Sequence, residues 1–315
     1  MSERTEVTFE GRRLSVSNLD KVLYPATGFT KGDLIDYYVN IAPVLAPHLQ
    51  GRGVTLHRFP DGVGEDSFFE KRCPRHRPDW VEVAPGPGEG RDDGIDYCVL
   101  ADAPSLAWAA NLAAIELHAP LHVASDAEHP TALVFDLDPG PGTDITDCAG
   151  VALELAELLD RDGLAGVAKT SGSKGLQLYV PLNGEPRAGL KRARPTYERT
   201  RAYALTLATE LEEQHPDRVV TTMAKQARRN KVFIDWSQNH QHKTTIAVYS
   251  LRGREHPTAS TPLTWDEVDE AAAGTPWSFT AEEVRDRVDD LGDLFEPVIT
   301  DRQALPDVDR SILDR

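Results

Sequence analysis

The chain has 315 residues, 40% of them hydrophobic, and a formal net charge of −17. That length allows one large or two medium domains, and that charge argues against a protein that coats nucleic acid with its whole surface. No run of 18 apolar residues could span a membrane, and "MSERTEVTFEGRRL" lacks a signal-peptide apolar core. Cys73, Cys98 and Cys148 show no paired spacing, so the expected compartment is a reducing cytoplasm.

A short strand pair is expected in "EVTFEGRRLSVS". "TKGDLIDYYVNIAPVLAPHL" predicts a helix, with Thr30 as its cap, Asp33 three residues on, and Leu34, Tyr37, Tyr38 and Ile41 at helical spacing. Residues 53–59 and 67–70 read as strands around the turn "PDGVGED", and "PGPGEGRDDG" (85–94) as a loop. "PSLAWAANLAAIELHAP" reads as a helix, and "TALVFDLDPG" (131–140) as a buried strand. "DCAGVALELAELLDRDG" is an amphipathic helix ending near Gly163. "AGVAKT", "GLQLYVPL", "KVFIDW" and "TTIAVYSLRG" are strand-like, and the helix "YERTRAYALTLATELEEQH" separates the second from the third. There is no clean βαβ rhythm, so the expected class is α+β with more than one sheet. Residues 266–315 hold 15 acidic and five basic side chains, and 264–315 are expected to form an acidic helical tail. The basic groups cluster in "EKRCPRHR" (70–77), "RAGLKRARPTYERTR" (187–201) and "KQARRNK" (225–231). Each cluster is a solvated helix face or part of a basic groove for nucleic acid.

The chemistry centres on "VFDLDPG". Strand side chains alternate faces, so Asp136 and Asp138 point the same way and repel unless a cation lies between them. Mg²⁺ and Mn²⁺ suit such oxygen ligands; two turn-capping aspartates are the plainer alternative. In "KTSGSKGLQLYV" a Gly/Ser loop between strands offers Ser171, Ser173, Lys174 and backbone N–H groups to phosphate, or is an ordinary hairpin. It is not a Walker loop, because a strand follows it. "KVFIDWSQN" ends another apolar strand in Asp235, a third carboxylate for a two-metal site. Gln238, Lys243 and Arg252 offer further phosphate donors.

"SNLDKVLYP", "TKGDLIDYY", "FFEKRCP", "LVFDLDPG", "TSGSKGLQLYVPL", "KVFIDWSQN" and "TTIAVYSLRGR" together resemble the polymerase domain of bacterial ligase D, over residues 15 to 260. The resemblance implies an archaeo-eukaryotic primase-type fold, with central β-sheets flanked by helices, working in non-homologous end joining. The chain would be one primase-polymerase domain: an end-binding segment 1–60, a catalytic core 61–263 and an acidic segment 264–315. With no ligase or nuclease segment, it would be a stand-alone or excised polymerase.

Metal binding falls by resemblance on Asp136, Asp138 and Asp235, with two Mn²⁺ or Mg²⁺ ions. Triphosphate contacts fall on His118, Ser171, Lys174, Gln238 and Arg252. DNA contacts fall on Lys21, Lys31, Phe68, Phe69 and Arg228: the phenylalanines would stack on template bases, the lysines would clamp a 5′-phosphate, and Arg228 would lie near the carboxylates. Free N–H groups at the helix start beside Lys31 are expected to help hold that anion. Nucleoside triphosphates and DNA with 5′-phosphorylated gaps or break ends are the implied substrates, ribonucleotides the implied preference, and Ku and a DNA ligase the implied partners.

Two positions depart from the family pattern. Gln177 stands where histidine is usual; it can still hydrogen-bond phosphate but cannot become cationic. His57 stands where many relatives have lysine, and no site role is given to it. Two rival readings start from the same residues: a haloacid-dehalogenase-like phosphatase with "VFDLD" as its nucleophile strand, and a non-catalytic DNA-end-binding scaffold. A zinc site at Cys73 and His76 lacks a visible second ligand pair.

Overall fold

Capping residues and strand alternation mark out the elements of the computed structural model, which describes residues 4–86, 94–183, 195–307 and 312–313. The chain starts with β1 (Arg4–Phe9), β2 (Arg12–Ser17), β3 (Val22–Tyr24), β4 (Phe29–Thr30) and α1 (Lys31–Leu49). Next come β5 (Thr55–Arg58), β6 (Phe68–Glu70), β7 (Val83–Gly86), β8 (Ile95–Cys98), α2 (Ala103–Asn111) and β9 (Ala114–Ala119). They are followed by β10 (Ala132–Pro139), α3 (Ile145–Arg161), β11 (Val167–Thr170), β12 (Leu176–Pro181), α4 (Tyr197–Gln214), β13 (Val219–Val220) and β14 (Val232–Asp235). After these lie β15 (Thr245–Ile246), β16 (Pro262–Leu263), α5 (Trp265–Ala272), α6 (Ala281–Leu291) and α7 (Pro297–Thr300).

These elements fall into two compact units. One comprises Met1–Ser125, Thr244–Ser260 and Phe279–Asp293; the other comprises Asp126–Lys243, Thr261–Ser278 and Leu294–Arg315. The first holds a four-stranded sheet in the order β15-β9-β5-β6. Its helix α1 starts with a full capping box between Thr30 and Asp33 and buries Leu34, Tyr37, Tyr38 and Ile41. The two buried phenols donate to backbone carbonyls, Tyr37 to Tyr249 at 2.7 Å and Tyr38 to Ile115 at 2.6 Å, which removes the cost of hiding them.

The second unit holds a six-stranded sheet, β13-β14-β10-β12-β11-β16. β10 lies inside it with antiparallel partners on both sides. Leu133, Val134, Phe135 and Leu137 are wholly buried, and Cys148, Val151, Leu155 and Leu159 of α3 complete the apolar layer. The antiparallel neighbours of β10 are incompatible with the phosphatase reading, which needs a parallel βα arrangement. The α+β class with several sheets is as expected.

Several local expectations need correction. "PSLAWAANLAAIELHAP" is not one helix: α2 ends at Asn111, Ala113 turns with φ of 56°, and residues 114–119 become β9. His118 is therefore a strand residue. "TTIAVYSLRG" supplies only the two-residue β15, because Tyr249 adopts φ of 61° and the chain turns there. Cys73 and Cys98 form a disulfide. The Cys73 N–H donates to Asp96 O at 2.7 Å, so Cys73 lies beside the β7–β8 hairpin that carries Cys98, a pairing that spacing alone could not show. It also removes Cys73 from any zinc site. Residues 87–93 of the expected loop and 187–194 of the second basic cluster lie outside the described residues. Among the described residues, no helix is long and apolar enough to cross a membrane.

Candidate active site

Register, not only alternation, gathers the carboxylates. Asp136 of β10 faces Asp235 of β14 across one antiparallel pair, and Asp138 stands two residues along on the same face. Asp138 is exposed, Asp136 half-buried and Asp235 buried. Asp235 Oδ1 accepts from the Ser237 backbone N–H at 3.0 Å and from its hydroxyl. Gln238 Nε2 lies 3.5 Å from Asp136 Oδ2 and 3.4 Å from Asp235 Oδ2, so it spans the pair. Burial, followed by the charge of Asp138, pushes the Asp136 carboxyl up to about 7. Burial and Asp235 raise Asp138, against the opposing charge of Arg228.

This frustration has a stability consequence. A folded carboxyl titrating near 7 keeps a proton that the unfolded chain loses near 4, so stability falls as pH rises between those values. The metal-free protein should therefore melt at lower temperature at pH 8 than at pH 5. Asp136→Asn should flatten that slope and raise the melting temperature at pH 8. An unchanged slope would mean the carboxylates are not in conflict.

Glycines bring the phosphate loop and the basic segment up to β10. A Cβ at Gly175 would meet Leu137 O at 2.3 Å, and one at Gly140 would meet Arg228 O at 1.7 Å. The loop is closed by Ser171 N–H to Gly175 O at 2.9 Å. Its Ser171 Oγ accepts from Ser173 N–H and Gly175 N–H at 3.3 and 3.1 Å. Lys174 is exposed at its tip, and Ser173 is half-buried beside it. Arg228 lies over the Phe233 ring at 3.6 Å, with its charge acting on Asp138. Lys243 donates to the Ser237 hydroxyl, which in turn serves Asp235. Gln177 contacts Lys169 and Asp136 instead of standing free.

The first unit builds a second polar cluster on β5, β6 and β9. His57 is opposite both Phe69 and Glu116, and His118 follows Glu116 on the same face. Glu116 is buried; its Oε2 accepts from His57 Nδ1 at 3.0 Å and His118 Nε2 at 2.9 Å. Carboxylates only accept, so both tautomers are set, and His57 Nε2 is left facing Ser67 Oγ at 3.1 Å. Glu116 Oε1 takes the Gly253 N–H at 2.9 Å and pairs with Arg252 at 3.3 Å. Burial alone would raise Glu116, but the His118 and His57 hydrogen bonds and the Arg252 charge hold it well below the carboxylate range. Burial lowers His118 despite Glu116, and Arg252 adds to that.

A ring nitrogen of His57, an oxygen of Glu116 and a ring nitrogen of His118 lie within 4.8 Å of one another, a spacing at which the three could hold a divalent metal ion in place of the protons they now share. Phe69 stacks on His57 with centroids 3.9 Å apart, and Phe68 points to the opposite face under Arg58. Both phenylalanines are exposed, 45% and 57%, and neither is core. His57 and Glu116 carry no role in the sequence analysis. Alternation in "IELH" would have exposed Glu116 and His118 as a pair had the segment been read as a strand.

Lys31 is buried at the start of α1, and burial, with Lys21 and Arg58 nearby, lowers its ammonium to about 8. Three cations lie together here, and a phosphate would relieve their repulsion, although Arg58 also pairs with Glu70 at 2.8 Å. Lys21 also pairs with Asp61 at 2.6 Å on the surface. The helix start is not free, however: Lys31 N–H donates to Lys21 O, Gly32 N–H to Leu19 O, each at 2.8 Å, and Asp33 N–H to Thr30 Oγ1. Any anion there is held by side chains.

Comparison with known proteins shows the family of the chain. The family model for the LigD primase-polymerase domain matches residues 30–295. The chain is 42% identical over 292 residues to the multifunctional non-homologous end joining protein LigD of Mycolicibacterium smegmatis, covering 92% of this chain and 36% of that protein. It is 34% identical to the bifunctional LigD of Bacillus subtilis, covering 90% of this chain and 44% of that one. It thus spans less than half the length of these curated relatives. The polymerase domain of Mycobacterium tuberculosis ligase D, solved in complex with DNA, superimposes with a TM-score of 0.82 at 40% identity, covering 92% of this chain and 99% of that one. The chain therefore belongs to the LigD primase-polymerase domain family, and its fold is of the α+β primase type.

Proposed function

We propose that this chain adds nucleotides to a primer 3′-hydroxyl at gaps or broken ends of DNA. The observation that carries this reading is the direct register of Asp136 with Asp235, with Asp138 on the same face. Three hard oxygen ligands that repel each other fit divalent cations of the Mg²⁺ or Mn²⁺ type, and all three would hold a pair of them. Bound there, the ions would lower the pKa of the attacking hydroxyl and neutralise charge on the triphosphate. The protein's own residues orient and screen. Ser237 and Gln238 fix Asp235 and span it to Asp136, and Arg228 offsets the charge of Asp138. The Ser171–Gly175 loop offers the Ser171 and Ser173 hydroxyls and Lys174 to phosphate oxygens.

His118 and Arg252 belong to the other unit and are proposed as phosphate contacts on the resemblance alone. Phe68 and Phe69 are proposed to meet template bases, which their exposure allows. Both units are proposed to serve one primase-polymerase domain, in which residues 1–60 meet the DNA end. DNA is the proposed partner, as in the tuberculosis polymerase domain complex. Ku and a DNA ligase are the proposed repair partners, following the end-joining relatives. Ribonucleotides are the proposed preference, since a 2′-hydroxyl gives a site one more donor and acceptor to read. Extension of a gapped duplex with each ribo- and deoxynucleotide, under Mg²⁺ and under Mn²⁺, checks this. A deoxynucleotide preference under both metals would contradict it.

A further inference from the structure

Lys169 is wholly buried in the second unit's sheet, where an ammonium is costly unless its donors are met. Register places Lys169 of β11 opposite Gln177 of β12, Gln177 opposite Asp136 of β10, and Asp136 opposite Asp235 of β14. Directly opposed residues share a face, so these four side chains form one polar row across four strands. Lys169 Nζ donates to Gln177 Oε1 at 2.6 Å, and Gln177 Nε2 donates to Asp136 Oδ1 at 3.1 Å.

The direction of this row is fixed by chemistry. An ammonium can only donate and a carboxylate can only accept, so one amide orientation alone satisfies both neighbours. The buried lysine thereby sets which end of Gln177 faces Asp136. Oδ1 of Asp136 is occupied, and Oδ2 is turned toward Gln238, which also reaches Asp235. We infer that Lys169 and Gln177 are positioning residues: they lock the rotation of the Asp136 carboxylate so that Oδ2 is presented on the side of Asp235. Gln177 is then a support for a metal-binding carboxylate, its amide oxygen taken up by Lys169 and one amide hydrogen by Asp136.

The inference rests on the nucleotidyltransferase reading for its consequence in catalysis, but its first readout does not need activity. Mn²⁺ binding to the full chain is followed by electron paramagnetic resonance for wild type, Lys169→Met and Gln177→Glu. Methionine fills the lysine's volume without leaving a buried charge, and glutamate keeps the contact to Lys169 but cannot donate to Asp136. Both variants should bind Mn²⁺ about tenfold more weakly, the scale of losing a group that orients a metal ligand. In primer extension, kcat should fall by a similar factor of about ten while KM for the nucleotide stays within about twofold.

Unchanged Mn²⁺ affinity in a folded Gln177→Glu protein would overturn the proposal, as would a rise in nucleotide KM with kcat intact. If Lys169→Met fails to fold, Gln177→Glu decides alone, since it leaves the lysine paired. Wild-type protein that binds Mn²⁺ but extends no primer would sink the polymerase reading while the binding comparison still tests the relay.

Discussion

Asp138→Ala should lower nucleotide addition by about three orders of magnitude or more, because removing one of a few shared metal ligands costs several kcal/mol of transition-state stabilisation. The variant should remain folded. Asp138 is exposed at the end of β10, and its removal relieves the repulsion that raises both Asp136 and Asp138. Its melting temperature at pH 8, without metal, should equal or exceed that of the wild type. Asp235→Ala should also lose chemistry, with a smaller loss of triphosphate binding, on the proposal that Asp136 and Asp138 by themselves would hold the ion that meets the triphosphate. Asp235 is buried and bonded to Ser237, so some stability is lost with it. Near wild-type extension by a folded Asp138→Ala protein would remove the two-ion proposal.

The second large effect concerns DNA ends. A gapped duplex with a 5′-phosphate should bind about one to two orders of magnitude tighter than its dephosphorylated form at low salt, the worth of one charge-assisted contact. Lys21→Ala with Lys31→Ala should erase the difference and leave free-nucleotide binding unchanged. Lys31 titrates near 8, lowered first by burial and then by Lys21 and Arg58, so it is cationic below that pH and neutral above it. The preference for the phosphate should accordingly shrink as pH rises through about 8, although a bound phosphate raises the lysine again. Lys21→Ala alone keeps the buried position intact and should remove part of the effect. Equal binding of both duplexes by wild-type protein would leave the three cations without this role. Fluorescence anisotropy at fixed low salt reads all of these.

Legibility of the sequence followed the range of the interactions involved. The Thr30–Asp33 capping box and the apolar spacing of α1 are local, and the helix forms where they place it. The apolar run of β10 likewise marks a buried strand, with its carboxylates at the spacing that strand alternation requires. By contrast, "AIELHA" follows directly on the Ala-rich α2 and is buried at nearly every position, and its alternation spans only four residues, too few to set it apart from a helix. Only its pairing with β5 on one side and β15 on the other makes it a strand, and that misreading hid Glu116 beside His118.

Long-range register was equally hidden. Asp235 could be picked out as another strand-end acid, but its seat opposite Asp136 arises from pairing β10 with β14, about a hundred residues away. The Cys73–Cys98 pairing depends on a hairpin between them, and the donors at the start of α1 are consumed by a turn the sequence does not announce. Lys169 reads as one more lysine before a Gly/Ser loop; its role depends on the amide it meets across the sheet.

The most direct test is release of pyrophosphate during single-nucleotide extension of a 5′-phosphorylated gapped duplex by the wild-type chain, with Mn²⁺ and with a chelator in its place. The account predicts one pyrophosphate for each nucleotide added with the metal, and none with the chelator or with Asp138→Ala. Extension that proceeds equally in chelator, or a wild-type chain that binds the duplex and Mn²⁺ yet releases no pyrophosphate with any nucleotide, would contradict it.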